Sequence, residues 1–178
     1  MQFLKTVLLL AIISFLLHLG WESSHLPLYG GYESLSPILP ITIWAAIGDV
    51  LYTIGAVLLV ALLKGRLNWI REATYKDIAS LAVLGFFIAV FVEYKGLFLN
   101  RWHYLEAMPV ISGLGVGLSP ILQMSLLLPV SVFLTKYLLK KNLKLHGLLA
   151  VVYRHCGPCS SATMTRHSGG DAAYPATG

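Results

Sequence analysis

Three ionisable side chains close to the end of the first apolar segment have a spacing that would let them act together. His18, Glu22 and His25 are spaced i, i+4 and i+7, so a continuous helix presents all three on one face. Glu22-x-x-His25 also has the carboxylate–imidazole spacing of carboxylate-bridged di-iron bundles. Such bundles need a second copy of this motif, so the sequence favours no metal. A metal, if one binds, would use Glu22, His25, Asp49 and Glu93.

Polar side chains also interrupt the other apolar segments. Asp49 lies about 15 Å along the second segment at 1.5 Å per residue, and Glu93 lies near the end of the third. An ionisable group in hydrocarbon costs roughly 2.5–3.5 kcal/mol, so each is a candidate for function. A carboxyl group in an apolar pocket can hold a proton and deliver it to an alkene, an epoxide or an ester oxygen. The predicted catalytic residues are Glu93, Asp49 and Glu22.

The remaining polar and aromatic residues at similar depth would surround a substrate. The fourth segment places Ser119 and Gln123 four residues apart, and the connection 100–113 is predicted to form a lid over the pocket. The predicted substrate-binding residues are His18, His25, Tyr52, Arg101, Trp102, Tyr104 and Gln123. An alternative is purely structural: Asp49 and Glu93 would pair with Arg101 or Lys95 and hold the bundle together.

Composition identifies the solvent in which these residues lie. The chain of 178 residues is 57% hydrophobic and 12% charged, whereas a soluble domain has about 25% charged residues. Lipid must therefore cover much of its surface. Four apolar segments each have the roughly 20 residues that cross a bilayer, which predicts an all-α integral membrane four-helix bundle. The predicted helices are about 3–26, 39–63, 78–99 and 114–138.

The distribution of basic residues predicts the orientation of these helices. One side would carry Lys5, Lys64, Arg66, Arg71, Lys76, Lys136, Lys140, Lys141 and Lys144, and the other only Lys95 and Arg101. The positive-inside rule then places both termini in the cytoplasm, in a multi-pass protein of the cytoplasmic (inner) membrane. No basic run is interleaved with exposed aromatic residues, which argues against a nucleic acid partner. Residues 1–146 form the predicted membrane domain, and 147–178 a disordered tail, with a non-native C-terminal end as an alternative.

Three motifs run through most of the membrane part. They are Trp21-Glu22-x-x-His25-x-Pro27-Leu28-Tyr29, Arg101-Trp102-x-Tyr104 followed by Met108-Pro109, and Gly115-Val116-Gly117-Leu118-Ser119-Pro120-x-Leu122-Gln123. Together with Gly48-Asp49 and Glu93, they resemble a family of small bacterial four-helix membrane proteins to which no activity is assigned. The resemblance implies the fold type and no particular reaction. The tail 147–178 does not share the pattern.

A shorter pattern is similar to part of another membrane domain. Glu93-Tyr94 followed by Arg101-Trp102-x-Tyr104 resembles the glutamate–tryptophan–aromatic run of lycopene cyclase-type domains, which would imply an isoprenoid-like ligand. The acidic pair expected after the proline is absent, because Pro109 is followed by Val110 and Ile111.

Taken together, the sequence predicts a small membrane protein with an outward-facing polar pocket inside the membrane. The pocket would bind or modify a lipid or another apolar molecule. Two alternatives stay open at this point: a non-catalytic protein that binds a partner in the membrane, and a carboxylate/His metal protein. The sequence alone does not decide whether the protein is an enzyme, whether it uses a cofactor or how many copies assemble.

Overall fold

The computed structural model describes residues 2–30 and 39–155, with side chains described for 2–30 and 40–141. A first compact unit, Met1–Asn142, contains four apolar helical segments. The helices are α1 (Gln2–His25), α2 (Leu39–Lys64), α3 (Tyr75–Phe98) and α4 (Leu118–His155). In the second unit, Leu143–Gly178, the structure describes only helical residues, up to His155.

All four helices are long and apolar enough to cross a membrane, since a bilayer core of about 30 Å requires roughly 20 residues. Large apolar side chains such as Leu16 and Phe87 point outward, with 63% and 62% of their surface exposed. Polar side chains such as Thr53 and His18 are fully buried. This arrangement suits lipid as the surrounding solvent. The predicted all-α four-helix membrane fold is confirmed.

The buried face of α1 repeats every fourth residue. Thr6, Leu10, Ser14 and His18 are all buried, because residues four apart lie on one side of a helix. Ser14 Oγ donates to Thr53 Oγ1 of α2 at 3.3 Å. Small polar side chains thus join the first two helices, as is common where helices meet inside a membrane.

The buried face of α3 explains why Glu93 points into the bundle. Leu81, Gly85, Ala89 and Glu93 follow one another at intervals of four and are all buried. At Gly85 the helices α3 and α4 approach so closely that a Cβ atom would lie 2.4 Å from the carbonyl oxygen of Met124. Glu93 lies two turns further along the same face.

Both ends of the connection before α3 are fixed by polar contacts. Thr74 caps α3, and its side chain and that of Asp77 form a reciprocal capping box, which satisfies N–H groups at the helix start. The helix therefore begins at Tyr75 rather than at the predicted residue 78. Lys64 at the end of α2 contacts Asp77 at 2.6 Å. This ion pair holds the two ends of the connection between α2 and α3 together.

The start of α4 differs more from the prediction of residue 114. Val110–Ile111 (β1) and Val116–Gly117 (β2) form a two-stranded antiparallel hairpin, and the helix begins only at Leu118. Two glycines make the turn possible: Gly113 has φ 90° and Gly115 has φ 69°, values that side chains with a Cβ rarely adopt. The sequence contained this signal, but the apolar run concealed it.

At its other end, α4 continues to His155. It therefore includes residues 147–155 of the segment predicted as a tail. The rest of that prediction, 156–178, lies outside the described residues.

Candidate functional site

A polar cluster lies where α1, α2 and α4 meet. Gln123, which is 2% exposed, donates its side-chain amide to Glu22 Oε1 at 2.8 Å and to Asp49 Oδ2 at 2.7 Å. Two carboxyl groups from different helices thus share one amide group of a third. Three of the residues predicted from the sequence are brought together here, each from a separate membrane span.

His18 closes this cluster from the interior. Its Nδ1 atom lies 3.3 Å from Asp49 Oδ2 and 3.2 Å from Gln123 Nε2. An amide nitrogen only donates, and the carboxylates take both of its hydrogens, so His18 Nδ1 supplies its own hydrogen to Asp49. His18 Nε2 is buried and has no partner within the described part of the chain. The side chain is fully buried and supports Asp49 from behind.

His25 links α4 to the same cluster through both of its ring nitrogens. Nδ1 lies 2.8 Å from Ser119 Oγ, and Nε2 lies 3.2 Å from Glu22 Oε2. Since a carboxylate only accepts, Nε2 carries the hydrogen and Nδ1 accepts from the Ser119 hydroxyl group. The edge of the ring meets Tyr29, with centroids 5.3 Å apart. The spacing of Ser119 and Gln123 is visible in the sequence, but the contact with His25 could not be predicted from it.

Glu93 belongs to a second, separate group. It is 4% exposed and accepts hydrogen bonds from Trp102 Nε1 at 3.2 Å and from the Tyr104 hydroxyl. The Tyr104 oxygen in turn accepts from Gly117 N at 3.0 Å. Burial, followed by the bond to Glu93, raises the pKa of Tyr104 above its usual range, so Tyr104 stays a neutral donor.

Backbone contacts fix the segment that carries Trp102 and Tyr104 across the end of α1. Leu105 N donates to Leu28 O at 3.0 Å, and Gly30 N donates to His103 O at 3.1 Å. Opposite Tyr104 lies Tyr29, with ring centroids 5.7 Å apart. Burial also raises the pKa of Tyr29 far above its usual range. The part of the predicted lid around residues 102–105 is therefore bonded to residues 28–30, which follow α1.

A cavity of about 500 Å³ lies between these two groups. Its walls are mainly apolar and aromatic, and they include the predicted residues Tyr52 and Trp102. Its carboxyl, imidazole and amide groups come from both groups, and two basic side chains join them: Glu22, His25, Asp49, Glu93, Gln123, Lys95 and Arg101. His18 and Tyr104 lie behind this lining and support it.

Lys95 and Arg101 are exposed where they line this cavity. The structural alternative would pair them with Asp49 and Glu93. The structure gives those carboxyl groups other partners: His18 and Gln123 contact Asp49, and Trp102 and Tyr104 contact Glu93. Within the described part of the chain, neither Lys95 nor Arg101 forms an ion pair.

Two further findings bear on the nature of this site. In residues 2–30 and 39–155, no group of three or more His, Cys, Asp or Glu side chains could hold a metal ion. Comparison of the chain with protein family models, with curated proteins and with solved structures found no match. The family resemblance in the motifs therefore stays a prediction.

Proposed function

We propose that this membrane protein binds an amphipathic anionic molecule, a lipid or an isoprenoid-like lipid, in the cavity between α1, α2, α3 and α4. The anionic head would bind Lys95 and Arg101, and the apolar part would lie along the aromatic and aliphatic walls. The observation that carries this proposal is the pair of exposed cations that line the cavity without an acidic partner among the described residues.

The two cations fit the head of such a ligand. An exposed Lys or Arg needs no partner at an ordinary surface, but both of these side chains line one concave site. Arg101 is held there by its backbone, since its N–H donates to Gly96 O at 3.0 Å. A guanidinium group forms paired hydrogen bonds with carboxylate or phosphate oxygens, and an ammonium group adds a point charge.

The cavity walls fit the apolar part of the same molecule. Ligand sites are typically concave, largely apolar and about 300–1,000 Å³ in volume, with a few polar groups that fix orientation. The cavity has about 500 Å³, and Trp44, Tyr52 and Trp102 contribute aromatic walls. Its location within membrane-spanning helices gives an apolar molecule access from the bilayer.

The polar cluster suits the site to proton transfer as well as to ligand binding. Glu22, Asp49 and Gln123 lie on the cavity wall with their side chains held in place by one another. Groups held rigidly in an apolar site are suited to proton transfer, because they need no rearrangement when charge develops. We therefore favour a ligand that is modified as well as bound.

We also propose that the protein lies in the inner membrane with both termini in the cytoplasm. This is the orientation that the basic residues indicate. The cavity then opens toward the outer side of the membrane. In that orientation Lys95 and Arg101 lie near the outer head-group region, where the head of a lipid is found.

The proposal is tested by measuring lipid binding to the delipidated full-length protein in detergent, using native mass spectrometry. Phosphatidylglycerol and phosphatidylcholine with the same acyl chains serve as anionic and zwitterionic probes. Arg101→Gln and Lys95→Gln are expected to raise the Kd for phosphatidylglycerol about tenfold each, since a hydrogen bond to a charged group contributes about 1.5–3 kcal/mol. The Kd for phosphatidylcholine is expected to rise less, because the trimethylammonium group of the same head partly neutralises its phosphate.

Lys5→Gln is the matched control, because Lys5 is an exposed cation of α1 that does not line the cavity. It should leave both dissociation constants unchanged. Equal affinity of the wild-type protein for the two lipids would contradict the proposal. An effect of Lys5→Gln as large as that of Arg101→Gln would contradict it too, because binding would then reflect general surface charge.

A further inference from the structure

We propose that Ser119, His25 and Glu22 form a nucleophile–base–carboxylate relay that hydrolyses an acyl ester of the bound amphiphile. This inference rests on the proposed function, since it names the reaction of the same cavity. It goes further because it assigns a nucleophile, Ser119, which the sequence placed only among the polar residues that would surround a substrate.

The three side chains are connected in the order that acyl transfer requires. Ser119 Oγ lies 2.8 Å from His25 Nδ1, and His25 Nε2 lies 3.2 Å from Glu22 Oε2. A serine hydroxyl becomes nucleophilic when an adjacent base can take its proton, and a third group orients that base. Here Nδ1 faces the nucleophile and Nε2 faces the carboxylate, which reverses the usual use of the two nitrogens but keeps their roles.

The carboxylate at the end of the relay is itself fixed. Glu22 Oε1 accepts from Gln123 at 2.8 Å, which leaves Oε2 for His25. Gln123 is in turn held by Asp49 at 2.7 Å, and His18 holds Asp49. A serine that only joined α1 to α4 would need its bond to His25 and nothing further. The ordered chain behind His25 fixes the tautomer and the ring orientation that a base needs.

The relay also has access to a ligand and to groups that favour negative charge. His25 and Glu22 line the cavity, as does Pro120, whereas Ser119 is partly buried beside this lining and reaches it through its contact with His25. Ser119 lies in the first turn of α4, where the helix dipole is positive. The Leu118 N–H donates to Pro109 O at 2.7 Å and Pro120 has no N–H group, so the dipole rather than a pair of free N–H groups acts here. Negative charge that develops on a carbonyl oxygen near Ser119 is therefore stabilised.

The reaction proceeds in two balanced steps. Ser119 Oγ attacks the acyl carbonyl carbon, its proton passes to His25 Nδ1, and the ester C–O bond breaks as His25 returns that proton to the leaving alcohol. Water then attacks the acyl-serine, gives a proton to His25 and releases the carboxylic acid, and the proton on His25 returns to Ser119 Oγ. Glu22 keeps its charge throughout and stabilises the imidazolium that forms twice.

The relay is tested with a fluorophosphonate probe, which reacts with activated serine hydroxyls. The full-length protein in detergent is incubated with the probe, and the labelled residue is identified by tandem mass spectrometry. We expect labelling of Ser119, none at that position in Ser119→Ala, and a rate about 10²–10⁴-fold lower in His25→Gln, the range that a general base contributes. Ser23→Ala is the matched control: Ser23 is exposed and bonds Leu19 O at 2.8 Å, so labelling of Ser119 should not change.

Thermal unfolding of each variant shows whether it is folded. If Ser119→Ala does not fold, Ser119→Cys replaces it: iodoacetamide should alkylate position 119 in this variant, and more slowly once His25→Gln is added. A folded wild-type protein with Ser119 unlabelled, or labelling that His25→Gln leaves at the same rate, would overturn the inference.

The failure of this inference and the failure of the proposed function are distinguishable. Release of free fatty acid from ester-linked phosphatidylglycerol, with none from its ether-linked analogue, supports the relay. Binding of phosphatidylglycerol through Arg101 without labelling of Ser119 would refute the relay and leave the binding proposal intact. Labelling of Ser119 without a preference for the anionic lipid would refute the binding proposal alone.

Discussion

Gly96 of α3 lies directly against the indole ring of Trp102, so closely that a Cβ atom at position 96 would lie 1.9 Å from Trp102 Cζ2. Trp102 is also the residue whose Nε1 donates to Glu93. The absence of a side chain at position 96 therefore allows the indole to reach the buried carboxyl group. Packing and hydrogen bonding at this end of the cavity depend on each other.

The first prediction is that Gly96→Ala destabilises the protein and displaces Trp102. Overpacking of a buried site costs about 1–3 kcal/mol, which outweighs the roughly 0.5–1 kcal/mol that alanine contributes within a helix. The free energy of unfolding in detergent should fall by that difference, and the Trp102 indole should lose its bond to Glu93. Unfolding followed by tryptophan fluorescence measures the stability, and the emission wavelength of Trp102, with the other tryptophans replaced by Phe, measures its displacement.

Gly55→Ala is the control for this prediction. Gly55 lies within α2, and a Cβ atom there would meet nothing within 4 Å. This variant should be as stable as the wild type or slightly more stable. The explanation is wrong if Gly96→Ala and Gly55→Ala have the same effect.

A second prediction concerns the bond between Glu93 and Tyr104. A double-mutant cycle with Glu93→Gln and Tyr104→Phe should give a coupling energy of about 1–3 kcal/mol, since the two groups contact each other in a buried site. Glu93→Gln combined with Tyr94→Phe is the comparison, because Tyr94 instead donates to Leu114 O at 2.5 Å. A coupling near zero for Glu93 and Tyr104 would show that this bond does not form in the folded protein.

The sequence predicted that four helices form, but it did not predict correctly where α3 and α4 begin. The reason is physical. Apolar runs identify a span because lipid selects for them, but a run does not show where a cap or a turn begins. Thr74 and Asp77 start α3 earlier than the run does, and Gly113 and Gly115 delay α4. Both signals are present in the sequence, but the apolar residues around them continue the hydrophobic run and hide the helix boundary.

The candidate site was predictable in part for a similar reason. Glu22, Asp49 and Gln123 were grouped because each interrupts an apolar segment at a similar depth. Which atoms meet could not be predicted, since the contact between His25 and Ser119 joins residues 94 apart in the chain. Helix rotation decides such contacts, and it is set by close packing such as that at Gly85. Composition carries no information about it.

A third prediction follows from the pKa of Tyr104, which burial and the bond to Glu93 raise above its ordinary value of 10.0. Above pH 10 the unfolded chain loses the phenolic proton and the folded protein keeps it. The unfolded state then binds fewer protons, so the free energy of unfolding falls as pH rises above about 10. Tyr104→Phe removes this group and should make the alkaline fall shallower. Identical pH dependence of the two proteins between pH 9 and 12, measured by chemical unfolding, would contradict this assignment.

The last prediction tests the orientation, on which the outward-facing cavity depends. Glu106 lies beyond α3 and Leu67 beyond α2, both are exposed, and the two connections lie at opposite ends of the bundle. With Cys156 and Cys159 replaced by Ser, a membrane-impermeant maleimide added to intact spheroplasts should label Glu106→Cys. It should label Leu67→Cys only after the membrane is permeabilised, because the basic residues around position 67 are expected to stay in the cytoplasm. The reverse pattern would turn the cavity toward the cytoplasm, and Lys95 and Arg101 would then bind a ligand from the inner leaflet.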